Sequence, residues 1–227
     1  TKKAGIARPT TVMEHAAFGT MMGEDGKPFK TRTGGTVKLI DLINEAVERA
    51  TKMIAERNPE WTSEEVSELA ETLAISSIKY ADLSKNRLSD YIFSFDKMLA
   101  FEGNTAPYLL YAYTRIMSIF KKADIELDSV SYADIKVTTP EEHRLLVHIA
   151  KFTERLLSAI SDNYPHHICA YIYELSGMFM RFYEACPILR DDVSAELRQS
   201  RLALAALAAN TLHVSLDLLG IETVAKM

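Results

Sequence analysis

The sequence is short of most features that would announce a stapled, membrane-bound or metal-binding protein. Cysteine occurs only at Cys169 and Cys186, both in helical sequence, which excludes a disulfide framework and fits a reducing, cytoplasmic compartment. No apolar run approaches the roughly 20 residues that span a bilayer, so no membrane partner is expected. Residues 1–10 are polar and basic with no apolar stretch behind them, so no secretory leader is expected. The chain opens on Thr1 rather than methionine, and a fragment of a longer protein is the expectation. His166, His167 and Cys169 cluster at a helix start, but no second pair of ligands follows at finger-like spacing, so no metal site is expected. No Gly-x-Ser-x-Gly elbow, no Gly-x-x-x-x-Gly-Lys and no Gly-x-Gly-x-x-Gly occurs, which removes the usual nucleophile and nucleotide fingerprints. Internal repeats and low-complexity segments are also missing.

What remains is an ordinary globular composition, 48% hydrophobic and 25% charged over 227 residues, enough for one large or two modest cores. The net charge of −5 argues against a protein that coats nucleic acid, and DNA is not an expected partner. Its distribution is uneven. Between Lys27 and Lys38 stand Lys27, Lys30, Arg32 and Lys38 with no acidic residue and with Gly34 and Gly35, a composition suited to a phosphate contact or to a solvated loop.

Before that loop, Val12 to Met22 reads as a buried strand entering the turn Gly23-Glu24-Asp25-Gly26. After it, Val37, Ile40, Leu42, Ile43, Ala46, Val47 and Ala50 form an amphipathic helical pattern that continues toward Ile54, and Asn58-Pro59 ends it. Thr62 or Ser63 caps a second helix running to about Leu83, and Tyr91 to Asp96 reads as a short aromatic strand. From residue 105 onward only helices are predicted, over 105–122, 140–161, 166–186 and 194–219. The fold class is thus mainly α, a helical bundle behind a small α/β portion.

The segment Glu102 to Arg115 holds the most informative pattern. Gly103-Asn104 suits a turn, Thr105 a cap and Pro107 a first helical turn. Leu109, Tyr113, Ile116 and Phe120 form one stripe and read as core, while Tyr108, Tyr111, Ala112 and Arg115 form another. Two tyrosines and an arginine on one face either pack inward or stack on bases and pair with phosphate.

Asp25 to Val37 resembles the loop that occupies the KMSKS position in bacterial arginyl-tRNA synthetases, a class I family. The resemblance continues in order through Ile78 to Arg87, Glu102 to Arg115, Arg181 to Pro187, Arg201 to Leu204, and Leu216 to Glu222. It implies an arginine–tRNA ligase that uses ATP, with Mg2+, to make arginyl-adenylate and then charges arginine tRNA. Lys27, Lys30 and Arg32 would lie over the ATP phosphates, stabilising charge that builds in the transition state. Lys-Pro-Phe-Lys-Thr keeps both lysines of the motif but not its central Met-Ser, and a shifted register pairing Phe29 with the motif's methionine is the alternative. The HIGH motif of the family occurs nowhere, so the chain alone is expected to be inactive and to bind no cofactor.

The implied division is an end of the catalytic domain at 1–45, a helical linking region that contacts the tRNA stem at 46–103, and an anticodon-binding bundle at 104–227. Tyr108, Tyr111, Arg115, Arg198, His213 and Met227 are the implied tRNA contacts. Arg198 also reads as a surface charge and His213 as a bundle histidine. The rival expectation is an autonomous helical module that binds protein and has no salt-dependent affinity for RNA.

Overall fold

The computed structural model describes residues 1–28, 38–133 and 135–227. The expected basic loop falls largely outside them: Lys27 is described, whereas Lys30 and Arg32 are not. The described elements are β1 (Met21–Met22), α1 (Leu39–Arg57), α2 (Ser63–Leu83), β2 (Tyr91–Ile92), α3 (Phe95–Met98), α4 (Ala106–Ala123), α5 (Pro140–Ala150), α6 (Phe152–Asp162), α7 (His166–Ala185) and α8 (Ala195–Leu218).

α1 and α2 form an antiparallel hairpin whose facing sides are Leu42, Ala46, Ala50 and Ile54 against Val66, Leu69, Ala70 and Leu73. α2 starts where its sequence says it should. Thr62 Oγ1 accepts from the Glu65 amide at 3.2 Å while Glu65 returns a carboxylate oxygen to the Thr62 amide at 2.9 Å, satisfying two otherwise orphaned donors. α5 repeats the device with Thr139 and Glu142 behind Pro140.

The bundle proper packs α4, α5, α7 and α8 about one core of Leu109, Leu110, Ile116, Phe120, Leu145, Ile172, Leu175, Phe179, Phe182, Leu212 and Leu216. α8 supplies mostly small residues, Ala203, Ala205, Ala206, Ala208 and Ala209, all buried, so neighbouring helices approach closely. One ion pair crosses this core: Arg201 Nε donates to Glu142 at 2.8 Å and Arg201 Nη1 donates to the Pro187 carbonyl at 2.6 Å. Burial alone would raise the Glu142 pKa, but hydrogen bonds from Thr138, Arg201 and Thr139 prevail and hold it below the usual carboxylate range.

Three expectations need correction. The strand over 12–22 shrinks to Met21–Met22, and Val12 and Phe18 are exposed, because β2 is the only described strand available to pair with it. The strand over 91–96 ends at Ile92, after which Phe95 to Met98 make a single helical turn. The helix over 140–161 breaks at Lys151, which ends α5 and begins α6. Neither proline nor glycine marks that break. The two short strands pair in parallel, Met21 opposite Tyr91 and Met22 opposite Ile92.

Candidate nucleic-acid interface

α4 is set by its start. Gly103 takes a positive φ of 81°, which L side chains rarely adopt, and turns the chain into the helix. Thr105 Oγ1 accepts from the Tyr108 amide at 3.3 Å and donates to the Ala100 carbonyl at 2.7 Å, fixing the helix to the loop before it. Of the stripe expected to be core, Leu109, Ile116 and Phe120 are fully buried and Tyr113 is half-buried. Ala112, assigned to the other stripe, is buried too, so the outer face of α4 narrows to Tyr108, Tyr111 and Arg115.

These side chains form a continuous polar-aromatic surface with α7. Tyr111 is 37% exposed, and Arg115 Nη1 donates to its hydroxyl at 2.8 Å. The same guanidinium lies 5.5 Å from the Tyr111 ring centroid and 5.6 Å from that of Tyr183 on α7. Tyr108 meets Tyr173 edge to face, with ring centroids 5.6 Å apart. Burial raises the Tyr108 pKa, nearby Tyr173 adds to the rise and nearby Arg181 opposes it. Arg181 runs back along α7, and its Nη1 would stand 3.7 Å from a Cβ at Gly177. The seam thus presents aromatic rings and two guanidiniums. Such a surface can stack an unpaired base and pair a phosphate.

Arg181 and Tyr183 fall in a stretch that carries the family resemblance, but neither they nor Tyr173 stand out as contact residues in the sequence. Tyr173, Gly177 and Arg181 are spaced by four, which puts them on one face of α7, but nothing local says that this face meets α4.

The other sequence candidates lie elsewhere. His213 on α8 stacks against Tyr113, with centroids 6.0 Å apart, and its Nδ1 lies 3.0 Å from the Thr223 hydroxyl. Tyr113 follows Tyr111 by two positions, about 200° around the helix, so His213 flanks a different side of α4. Arg198 Nη2 donates to the Arg190 carbonyl at 3.1 Å, and its buried Nε has no hydrogen-bond partner among the described residues. It is anchored to the loop before α8. Met227 is half-buried against the core, while Lys226 beside it lies 4.1 Å from the Trp61 ring centroid and 3.5 Å from a Glu65 carboxylate oxygen.

At the amino end Lys27 is exposed on a tight turn: the Gly23 amide donates to its carbonyl at 2.7 Å, its own amide donates to Asp25 at 3.1 Å, and Gly26 has a positive φ of 70°. The turn borders a broad groove against α1 and α3 whose walls carry Asp41, Glu45, Glu48 and Arg49. The same walls carry Lys52, Glu56 and Arg57, so their charges are mixed. Among the described residues no group of three or more His, Cys, Asp or Glu could hold a metal ion. Cys169 and Cys186 are buried free thiols, and burial pushes the Cys169 thiol up to about 12. His166 and His167 are half-buried and pack their rings with Tyr164. No described helix is long and apolar enough to cross a membrane.

Comparison with known proteins covers both halves. Residues 1–95 match the family model of the class I tRNA synthetases (R), catalytic domain, and residues 109–227 match the DALR anticodon binding domain. An arginine–tRNA ligase of Actinobacillus succinogenes is 57% identical over 227 residues, all of this chain but 39% of the relative, so the chain spans about two fifths of that protein. The arginyl-tRNA synthetase of Thermus thermophilus superposes with a TM-score of 0.82 at 29% identity, covering 94% of this chain and 35% of its own. That of Plasmodium falciparum gives 0.76 at 36% identity, covering 84% and 34%. With matches to both halves and relatives aligned along its whole length, the chain belongs to the arginyl-tRNA synthetase family and carries that family's DALR anticodon binding domain in its carboxy-terminal half.

Proposed function

We propose that this chain is the tRNA-reading part of a cytoplasmic arginine–tRNA ligase, in which residues 104–227 bind the anticodon loop of arginine tRNA and residues 46–103 lie along the tRNA stem. The observation that carries the reading is the seam of α4 and α7, where Tyr108, Tyr111 and Arg115 meet Tyr173, Arg181 and Tyr183. Anticodon bases are unpaired and can be turned outward, so an exposed ring such as Tyr111 offers them a stacking surface with little rearrangement. Arg115 is held against two rings before any ligand arrives, so less side-chain entropy is lost when it meets a phosphate. Arg198, His213 and Met227 lie outside this seam and contribute through other tRNA contacts or through the fold.

Residues 1–45 complete the reading as the end of a catalytic domain. Lys27, Lys30 and Arg32 then act over the phosphates of ATP while arginine displaces pyrophosphate, stabilising the extra negative charge of the transition state. Mg2+ would accompany the nucleotide. Arginine and the remaining catalytic groups belong to the whole enzyme.

The test is a fluorescence titration of the chain with arginine tRNA and with a copy carrying an altered anticodon, at low and moderate salt. Binding that weakens with salt and with the altered anticodon supports the reading. Equal affinity for both tRNAs sinks the reading of the anticodon, and no binding at low salt sinks the whole reading in favour of a helical module that binds protein.

A further inference from the structure

One side chain in the junction between the halves makes more connections than its sequence context suggests. Arg87 lies beyond the end of α2, inside the catalytic-domain match, and is half-buried. Its Nη1 donates to the Ala17 carbonyl, and its Nε donates to the Asn163 carbonyl at 3.3 Å. Its guanidinium lies 5.5 Å from the ring centroid of Tyr164. Asn163 and Tyr164 form the corner between α6 and α7, inside the DALR match.

Each connection has a physical reason. Asn163 ends α6 with a left-handed φ of 56°, which leaves its carbonyl outside the helix ladder and near the negative end of the α6 dipole. A guanidinium there both satisfies the carbonyl and is favoured by the dipole. Ala17 lies on the stretch that leads through β1 into the turn of Lys27. That stretch is laced to the backbone around Arg87: the Gly19 amide donates to the Arg87 carbonyl at 2.7 Å, the Thr20 amide to Asp90 at 2.6 Å, and the Tyr91 amide to the Thr20 carbonyl at 3.1 Å. A Cβ on Gly19 would stand 2.2 Å from the Ser89 carbonyl oxygen, so the two segments run too close for any other residue there. Other ties between the halves, such as Tyr80 to the Cys169 carbonyl and Lys79 to the Gly220 carbonyl, reach the bundle from α2 and do not touch residues 17–22.

We propose that Arg87 is a positioning residue for arginyl transfer: it locks the α6–α7 corner of the anticodon-binding bundle to the segment that leads through β1 into the turn of Lys27. The catalytic consequence rests on the function proposed above, whereas the mechanical one does not. A bundle free to rock on this corner would still bind the anticodon but would present the far end of the tRNA less often in register with the reacting atoms.

The experiment compares the full-length enzyme carrying Arg87 with Arg87→Ala and Arg87→Lys, by hydrogen exchange, by binding of an isolated anticodon hairpin, and by arginylation kinetics. Arg87→Ala is expected to speed exchange about tenfold or more at residues 17–20 and at 163–168 together, while α8 stays protected. Hairpin affinity is expected to hold within about twofold while kcat falls about tenfold. Arg87→Lys should fall between, since an ammonium can meet one carbonyl but cannot fork to two and cover a ring. Unchanged exchange at both segments overturns the proposal, as does faster exchange throughout α8, which would mark Arg87 as general support for the fold. If the parent enzyme charges no arginine tRNA, the functional reading falls and the exchange arm still decides the junction.

Discussion

Replacing Tyr111 with alanine separates a binding face from a packing face. The side chain is 37% exposed and is contacted by the Arg115 guanidinium, so the bundle should lose less than about 1 kcal/mol of stability. If the ring stacks one base, removing it costs about 1–3 kcal/mol of binding, or roughly fivefold to 150-fold in Kd. Tyr111→Phe keeps the ring and loses only the oxygen that accepts from Arg115, so its Kd should rise by less than about fivefold. Tyr108→Ala provides the opposite control. That ring is half-buried and pairs edge to face with Tyr173, so its loss should cost about 2–3 kcal/mol of stability. The assay is fluorescence anisotropy of a labelled anticodon hairpin, with thermal melts of each variant alongside. A Tyr111→Ala protein that binds within about twofold of the parent, with an unchanged salt slope, refutes the reasoning and leaves the seam as packing.

Other outcomes follow from the same contacts. Arg115→Gln should weaken hairpin binding and flatten its salt dependence by about one counterion, read from affinity at two or more salt concentrations. Glu142→Gln should destabilise the bundle by about 3–5 kcal/mol in denaturant titration, because it removes the charge paired with the buried Arg201 guanidinium at 2.8 Å and leaves that cation only the neutral Pro187 carbonyl. The Glu142 pKa is lowered by folding, so the stabilisation is complete above the ordinary glutamate value of 4.5 and is lost as pH falls below it; urea midpoints taken across that range check the sign. Neither Cys169 nor Cys186 should react with a disulfide reagent until the protein unfolds, since both are buried and burial raises both thiols.

Much of the architecture was legible because it is written locally. Thr62 with Glu65, and Thr139 with Pro140 and Glu142, announce two helix starts, and both appear as complete capping boxes. The core stripe of α4 was readable from spacing for the same reason, apart from the half-buried Tyr113, and Ala112 of the second stripe, whose direction spacing left open, joins the core. The break at Lys151 was not, because its backbone stays in the helical region with φ of −82° and ψ of −1°, and no breaker residue marks it. Leu145 and His148 from α5 and Ala159 from α6 are all buried as both helices pack on α7, a demand set by tertiary packing. The candidate interface divides along the same line. Tyr108, Tyr111 and Arg115 share one helix and were found, whereas Tyr173, Arg181 and Tyr183 come from a helix more than fifty residues later and join them only by folding.

Tyr80 has a hydroxyl with more demands on it than it has hydrogens. Its oxygen lies 2.6 Å from Asn104 Oδ1 and 3.0 Å from the Cys169 carbonyl, and both of those atoms only accept. A phenol carries one proton, so two such bonds cannot coexist. Turning the Asn104 amide by half a rotation resolves the count: its nitrogen then donates to the Tyr80 oxygen, and the single proton goes to Cys169. The orientation of that amide is therefore dictated by arithmetic on one hydrogen, and Asn104→Asp, which has nothing to donate when ionised, should loosen α2 from α7 even though the substitution preserves shape almost atom for atom.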